Sequence, residues 1–302
     1  MESRITVFTP TYNRAHLLPK LYDSLKRQSS RDFEWLIIDD GSVDNTEEVV
    51  SAWVKEGEIK IVYHFQENQG MVAAHNTAHY LMTTELCICI DSDDHMPDDG
   101  IEKILGLWEK YGYEDSAGMV GLDAYTNGKI IGTKLPDIKE CKFSELYTNY
   151  KISGDKKFIH NRKVFNQYLP YPRLGNEKFP VTSYLYLFIE QKHKLLIFNE
   201  VFCIVEYMED GLSNNLIKQY RESPDSFAFY RIAKMKFALN YKERFQNAIH
   251  YVSSKLLGNR TGLLKDSPAK LTTLLAYPFG VMLYYYIKNT NKTAVNKTLN
   301  KK

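Results

Sequence analysis

The sequence predicts an α/β fold with a mostly parallel sheet, helices on its faces and a helical region at the C-terminal end. Two observations carry this prediction. Over the first 123 residues, short apolar runs alternate with amphipathic stretches, and each run ends in a polar string. From residue 216 onward the pattern turns helical. The 302 residues allow one large α/β domain with a smaller appendage, or two domains.

The elements follow in order. Residues 5–9 form a first strand ended by Pro10. Leu17, Leu18, Leu21 and Leu25 share helical spacing and place a helix over 15–28, with Asn13 as its N-cap. Residues 34–39, "EWLIID", are the second strand, and Asp44 stands to cap a helix over 46–55. Residues 59–65 are the third strand, and Gly70 precedes a helix over 71–82. Residues 86–90 are the fourth strand, Pro97 begins a helix running to Tyr111, and residues 119–123 are the fifth strand. Asn127-Gly128 between "AYT" and "KIIGTKL" signals a hairpin. Residues 140–210 are mixed, with apolar runs at 158–159, 184–189 and 195–198.

Composition excludes several classes. Hydrophobic residues are 44% and charged residues 25%, the balance of a protein with a real core. A net charge of +2 is too small for nucleic acid to be the main partner. There is no P-loop, no G-x-G-x-x-G and no G-x-S-x-G. His75 and His79 stand four apart, but "HNTAH" lacks the Glu of a zinc hydrolase. The 4 cysteines form no C-x-x-C pair; Cys87 and Cys89 alternate with Ile88 and Ile90, as reduced core thiols of a cytoplasmic protein do. "MESRITVFTP" has no apolar signal core, so export is not expected.

In parallel sheets, ligands bind beyond the carboxyl ends of the strands. The strings "TPTYNR", "DDGSVDN", "ENQG" and "DSDD" fall there and should meet along one edge. Asp91, Asp93 and Asp94 crowd into four positions. On extended chain Asp91 and Asp93 point the same way, and paired carboxylates either share a proton or neutralise a cation. Mg²⁺ or Mn²⁺ fits as half a site completed by a diphosphate; a solvated turn is the competing reading. Asp39 and Asp40 with Gly41 offer acceptors for a nucleoside, Tyr12 offers a ring face, and Gly70 opens a helix whose N-terminus favours anions. Each of these alone also reads as a turn or a cap.

Together, "ITVFTPTYNRAHLLPKLYDSLKRQSSRDFEWLIIDDGSVDNT", "ENQGMVAAHNTA" and "CICIDSDDHMPDDGIEKI" resemble family 2 glycosyltransferases of the GT-A, Rossmann-like fold, collinearly over roughly residues 3–104. The resemblance implies a nucleotide-sugar donor, UDP being commonest in that family, a divalent metal (Mn²⁺ or Mg²⁺) and inversion at the anomeric carbon. It also implies a glycan or lipid-linked acceptor in cell-surface polysaccharide synthesis. Thr9, Pro10, Tyr12 and Arg14 match the first nucleotide-contacting loop, and Asp40 the acid that reads the base. Asn68, Gly70 and Asn76 match the segment under ribose and diphosphate. Asp91 and Ser92 fall beside the ribose or sugar, and Asp93 on the metal. His75 stands where the family often has Arg. The family's catalytic acid falls on Thr182, which cannot serve; Glu177 is the nearest acid and is assigned as the base, with Glu190 further along. In "VEYMEDGLSNN", Glu209 or Asp210 replaces a family His, and Glu209 is assigned as a second metal ligand.

On this reading residues 1–104 are the donor-binding half of the catalytic domain and 105–214 the acceptor-binding half. Residues 215–302 are a helical, membrane-associating region. Its most apolar stretch, "LTTLLAYPFGVMLYYYI", is followed by Lys288, Lys292, Lys297, Lys301 and Lys302 with no acid among them. That composition suits the anionic cytoplasmic face of a membrane better than a core; a buried helix with a polar tail is the alternative. Two other functions stay open: a nucleotidyltransferase, and a non-catalytic nucleotide-sugar-binding or scaffold subunit.

Overall fold

The structure, a computed structural model, describes residues 3–175, 177, 182–206 and 216–290. The chain divides into two compact units: Met1–Tyr171 with Phe188–Tyr207, and Pro172–Leu187 with Met208–Lys302.

The first unit is built on one sheet. Its strands among the described residues are β1 Ile5–Thr11, β2 Phe33–Asp39, β3 Ile61–Phe65, β4 Leu86–Cys89, β5 Gly118–Tyr125, β6 Glu140–Cys141, β7 Lys156–Asn161 and β8 Leu195–Val205. They lie in the order β3-β2-β1-β4-β7-β5-β8-β6. β3, β2, β1 and β4 are mutually parallel, as are β5 and β8. β7 is antiparallel to both β4 and β5, and β6 to β8. The expected mostly parallel sheet is therefore present, with β7 as the strand that joins its two parallel parts. The expected divide at residue 104 falls in the helix between β4 and β5, two strands of this one sheet. The hairpin at Asn127-Gly128 closes with Gly128 N–H on the Tyr125 carbonyl at 2.8 Å.

Helices before β8 are α1 Leu18–Lys26, α2 Thr46–Glu56, α3 Met71–Leu81, α4 Gly100–Tyr111, α5 Phe143–Thr148, α6 Arg162–Phe165 and α7 Tyr186–Ile189. Alternation along the strands sorts them by face. Ile5, Val7, Trp35 and Ile37 pack with Leu21 and Leu25 of α1 and Ile101, Ile104 and Trp108 of α4. Phe8, Leu36 and Ile38 point the other way, onto Ala74 and Ala78 of α3. Burial on both faces explains why the central strands read as unbroken apolar runs.

Two helix starts differ from the sequence reading. α1 begins at Leu18, with Pro19 in its first turn, where a missing N–H costs nothing. Asn13 does not cap it: the residue is left-handed, at φ 53°, and its side chain accepts from Val43 N–H instead. α4 begins at Gly100, because residues 97–99 form a turn closed by Gly100 N–H on the Pro97 carbonyl.

Three histidines are buried between α3 and the sheet, His75 and His79 on the helix and His160 on β7. His75 meets the Phe8 ring edge-on at 5.2 Å, and His160 stacks on Phe165 at 3.9 Å. His79 belongs to the same aromatic group, 5.2 Å from Phe165. Burial pushes His75 down to about 4, against the pull of Asp91, and His160 down to about 3, with His75 adding to the effect. Folded-state pKa values below the unfolded value near 6.5 mean stability that is present above that pH and lost as pH falls through the folded pKa. Each histidine contributes a slope of about 1.4 kcal/mol per pH unit in that window. These histidines therefore pull the urea midpoint down between about pH 6.5 and 4, and His160→Gln should remove its share of that pull, so that variant and wild type differ more at about pH 5 than at about pH 7. An unchanged slope in the variant would remove His160 from the account.

The second unit is helical: a 3-10 turn Thr182–Tyr184, then α8 Leu216–Glu222, α9 Pro224–Lys236, α10 Tyr241–Leu257, α11 Leu263–Asp266 and α12 Lys270–Asn289. Ala228, Met235, Ala248, Tyr251 and Ala276 form its core. The C-terminal helical region expected from the sequence is present.

Candidate functional site

The carboxyl ends of β1, β2 and β4 lie side by side, so the loops that follow them are neighbours. The β1 and β2 loops are laced together. Asn13 N–H donates to Ser42 Oγ at 2.8 Å, and Val43 N–H returns to Asn13 Oδ1 at 2.8 Å. Ala15 N–H reaches Asp44 Oδ2 at 3.0 Å. The β2 loop is tied in turn to the loop after β3 by Asp40. Its Oδ1 accepts from Gln66 Nε2 at 2.7 Å and Gln69 N–H at 2.9 Å, and its Oδ2 from Gly70 N–H at 2.7 Å. A carboxylate offers about four lone-pair positions, and these three donors occupy most of them. Gly41 must be glycine here: φ is +85°, and a Cβ would sit 2.8 Å from Asn68 N.

The acidic string does not stay extended. After β4 the chain turns, with Asp94 N–H on the Asp91 carbonyl at 3.0 Å. The expectation that Asp91 and Asp93 point the same way is corrected by this turn, which sends the three carboxylates to different partners. Asp93 Oδ2 accepts from Arg14 Nη1 at 3.0 Å, and the same nitrogen lies 3.4 Å from Ser92 Oγ. Asp91 Oδ1 accepts weakly from Cys89 Sγ at 3.9 Å. Asp94 turns inward, where its Oδ2 lies 3.5 Å from Cys203 Sγ and 3.8 Å from Lys157 Nζ.

Behind the loop is thus a buried charged group that sequence reasoning missed. Burial pushes Asp94 up to about 7 and Asp123 up to about 6, while Lys157 pulls both down. Burial works to lower Lys157, yet Cys203, Asp123 and Asp94 hold it well above the ordinary lysine range. Asp94 stands out in the acidic string, but nothing local marks Lys157, which arrives on β7.

The remaining expected residues divide plainly. Arg14, Ser92 and Asp93 come together. Tyr12 is 49% exposed, with its ring available. Asn68 Nδ2 donates to the Asp40 carbonyl at 2.8 Å. Gly70 adopts φ +88°, but its N–H is taken by Asp40 rather than offered to an anion. Pro10 is part of β1. Thr9 is fully buried: its hydroxyl donates to the Ile90 carbonyl at 2.8 Å and accepts from Trp35 Nε1 at 3.0 Å, so it locks strands and does not face solvent. Asn76 spends its amide on the Tyr171 backbone, donating at 3.0 Å and accepting at 2.8 Å.

Glu177 belongs to the second unit and caps α9. Its Oε1 accepts Asp225 N–H at 2.8 Å and its Oε2 accepts Ser226 N–H at 2.6 Å. Both donors belong to the first turn of that helix, where N–H groups lack internal partners. Glu190, the next acid, likewise accepts Ser144 N–H at 2.7 Å at the start of α5. Thr182 sits in the 3-10 turn. Glu209 and Asp210 lie outside the described residues.

Carboxylates and a guanidinium at the ends of parallel strands, on a sheet of this topology, define a GT-A type α/β protein. The chain belongs to the family described as "Glycosyl transferase family 2", whose model matches residues 6–174. Among curated relatives, the glycosyltransferase GlyA of Streptococcus pneumoniae is 30% identical over 129 residues, 39% of this chain and 18% of that protein. The putative teichuronic acid biosynthesis glycosyltransferase TuaG of Bacillus subtilis is 32% identical over 101 residues, 33% of this chain and 40% of that protein. These matches span less than half of the relatives' length. Among solved structures, S. aureus TarS 1-349 in complex with UDP superposes with a TM-score of 0.60 at 14% identity, over 95% of this chain and 90% of that one. The mannosyltransferase PcManGT from Pyrobaculum calidifontis, in complex with GDP-Man and Mn²⁺, gives 0.55 at 16% identity, over 96% and 89%. At such identities the likeness shows the fold.

Proposed function

We propose that this protein transfers a sugar from a nucleoside-diphosphate sugar, UDP-linked, to a hydroxyl of a glycan or lipid-linked acceptor in cell-surface polysaccharide synthesis, with inversion. The observation that carries the reading is the meeting of Arg14, Ser92 and Asp93 at the ends of β1 and β4. Beside it, the loops tied together by Asp40 leave the Tyr12 ring exposed for a nucleoside.

Family membership also implies a divalent cation. Among the described residues, no three His, Cys, Asp or Glu side chains gather closely enough to enclose an ion. A hard cation shared with a diphosphate needs no such cage, since one or two carboxylates and the phosphates suffice. Asp93, partly exposed, fits that donor set, with Asp91 on the same turn. When bound, Mn²⁺ or Mg²⁺ supplies positive charge to the departing diphosphate. Arg14 holds the Asp93 carboxylate in position and brings a second positive charge to the same place. Tyr12 stacks on the base, and Asp40 reads one of its N–H groups.

An inverting displacement needs a carboxylate to take the acceptor proton. The resemblance assigns Glu177, whose carboxylate already holds two helix N–H groups. With Glu177→Gln, turnover is expected to stay within about threefold of wild type, where loss of a general base costs about 10²–10⁴-fold. The same change should cost about 1 kcal/mol of stability through the weakened cap. A loss of turnover of roughly a hundredfold or more, with stability unchanged, would identify Glu177 as the base.

The reading itself is tested by incubating the protein with UDP-, GDP- and dTDP-sugars, Mn²⁺ and glycan or lipid-linked acceptors. Release of nucleoside diphosphate with a new glycosidic product supports it. Pyrophosphate release would make the protein a nucleotidyltransferase. Nucleotide-sugar binding without turnover on any acceptor would favour the binding subunit.

A further inference from the structure

The helix α12 is packed inside out. Its inward face carries Thr272, Thr273, Ala276, Gly280 and Ile287, all buried. The small residues among them let it approach α10 closely: a Cβ on Gly280 would sit 2.4 Å from Val252 Cβ. The large apolar side chains point the other way. Leu271, Leu274, Leu275, Phe279, Met282 and Tyr285 are each 50% to 80% exposed. At 3.6 residues per turn they form one continuous stripe along the outer side of the helix. An ordinary surface helix has the opposite arrangement, so this stripe is made to meet something apolar.

Charge identifies the partner. From Ser267 to the end of the chain there is no Asp or Glu, while Lys270, Lys288, Lys292, Lys297, Lys301 and Lys302 all occur. Lys270 and Lys288 stand exposed at the two ends of α12. A symmetric pair of copies packed stripe to stripe would bring these acid-free, lysine-bearing segments together, and like charges repel. An apolar stripe between lysines, with tyrosines at its edge, matches an anionic lipid interface. Crossing is not the geometry: among the described residues no helix is long and apolar enough to span a membrane, and one face of α12 is committed to α10.

We propose that the outer face of α12 seats on an anionic bilayer, with the helix lying in the plane of the interface and its leucines and Met282 in the headgroup–acyl boundary. The full-length protein would be sedimented with vesicles of phosphatidylcholine alone and of phosphatidylcholine with phosphatidylglycerol. Its mass would be measured by light scattering without vesicles. Binding to the anionic vesicles is expected to be at least roughly tenfold tighter than to the zwitterionic ones, and weaker in about 0.5 M salt. Leu274→Asp with Met282→Asp should weaken binding by roughly tenfold or more. Both positions are exposed, so the thermal melt should not move, and Lys288→Glu provides a second variant that lowers only the anionic preference. No binding to either vesicle overturns the proposal. So does a stable dimer in solution that the Asp pair dissociates, which would make the stripe an interface between copies.

Discussion

Asp93→Asn is expected to abolish Mn²⁺-supported binding of nucleoside diphosphates and to lower turnover by about 10²–10³-fold. Asp93 lies on the turn after β4, and the Arg14 side chain from the β1 loop meets it at 3.0 Å. The asparagine keeps the shape and removes the charge that a hard cation requires. The cost to the fold should be small. The Arg14 and Asp93 side chains are 30% and 16% exposed, and a partly solvated ion pair of this kind is worth at most about 1 kcal/mol. Activity and stability should therefore separate: a large loss in turnover with a melt that hardly moves. Calorimetry of UDP binding with Mn²⁺ and then with EDTA is the direct measurement. Equal, metal-dependent UDP affinity in wild type and variant would sink the role of Asp93, and with it the reading of "DSDD" as half a metal site.

Lys157→Met should have the opposite signature, a large loss of stability. Its Nζ lies 3.8 Å from Asp94 Oδ2, with side chains only 12% and 8% exposed. Asp123 lies nearby, almost wholly buried, and its Oδ1 has no hydrogen-bond partner among the described residues. Removing the lysine leaves Asp94 without its cation and Asp123 with Lys156 alone, a defect that costs about 3–5 kcal/mol. The sign of the pH dependence follows from the shifts. Burial already raises Asp94 to about 7 and Asp123 to about 6, with Lys157 holding both down. A carboxyl raised above its unfolded value contributes stability that is full below about 4 and is lost as pH rises through its folded value. Without Lys157 both rise further, so the deficit of the variant should be larger near pH 8 than near pH 5. Urea titrations at the two values measure it. Equal deficits would show that Lys157 contributes packing alone.

Some parts of the fold and site are legible in the sequence and others are not. β1, β2, β3 and β4 are legible because each is a local apolar run, and their loops because glycine, proline and acidic residues cluster there. The starts of α1 and α4 fall three residues later than expected, since a left-handed Asn13 and a turn at 97–99 are set by contacts with other loops. β7 shows only two apolar residues in a mixed stretch; its pairing with both β4 and β5 gives it definition. Arg14 and Asp93 each stand out in the sequence, but their contact does not, because they lie 79 positions apart.

By itself, the sequence determined the class of fold, the family, and the polar strings that follow the strands. These are local properties of composition and period, readable one segment at a time. Only the tertiary structure decided where each carboxylate points: Asp93 to Arg14, Asp94 inward to Lys157, Glu177 onto the first turn of α9. It alone showed that α12 turns its small residues inward and its leucines out. A side chain's direction and partner depend on turns and on register between segments distant in sequence, and neither is written in the residues that will meet.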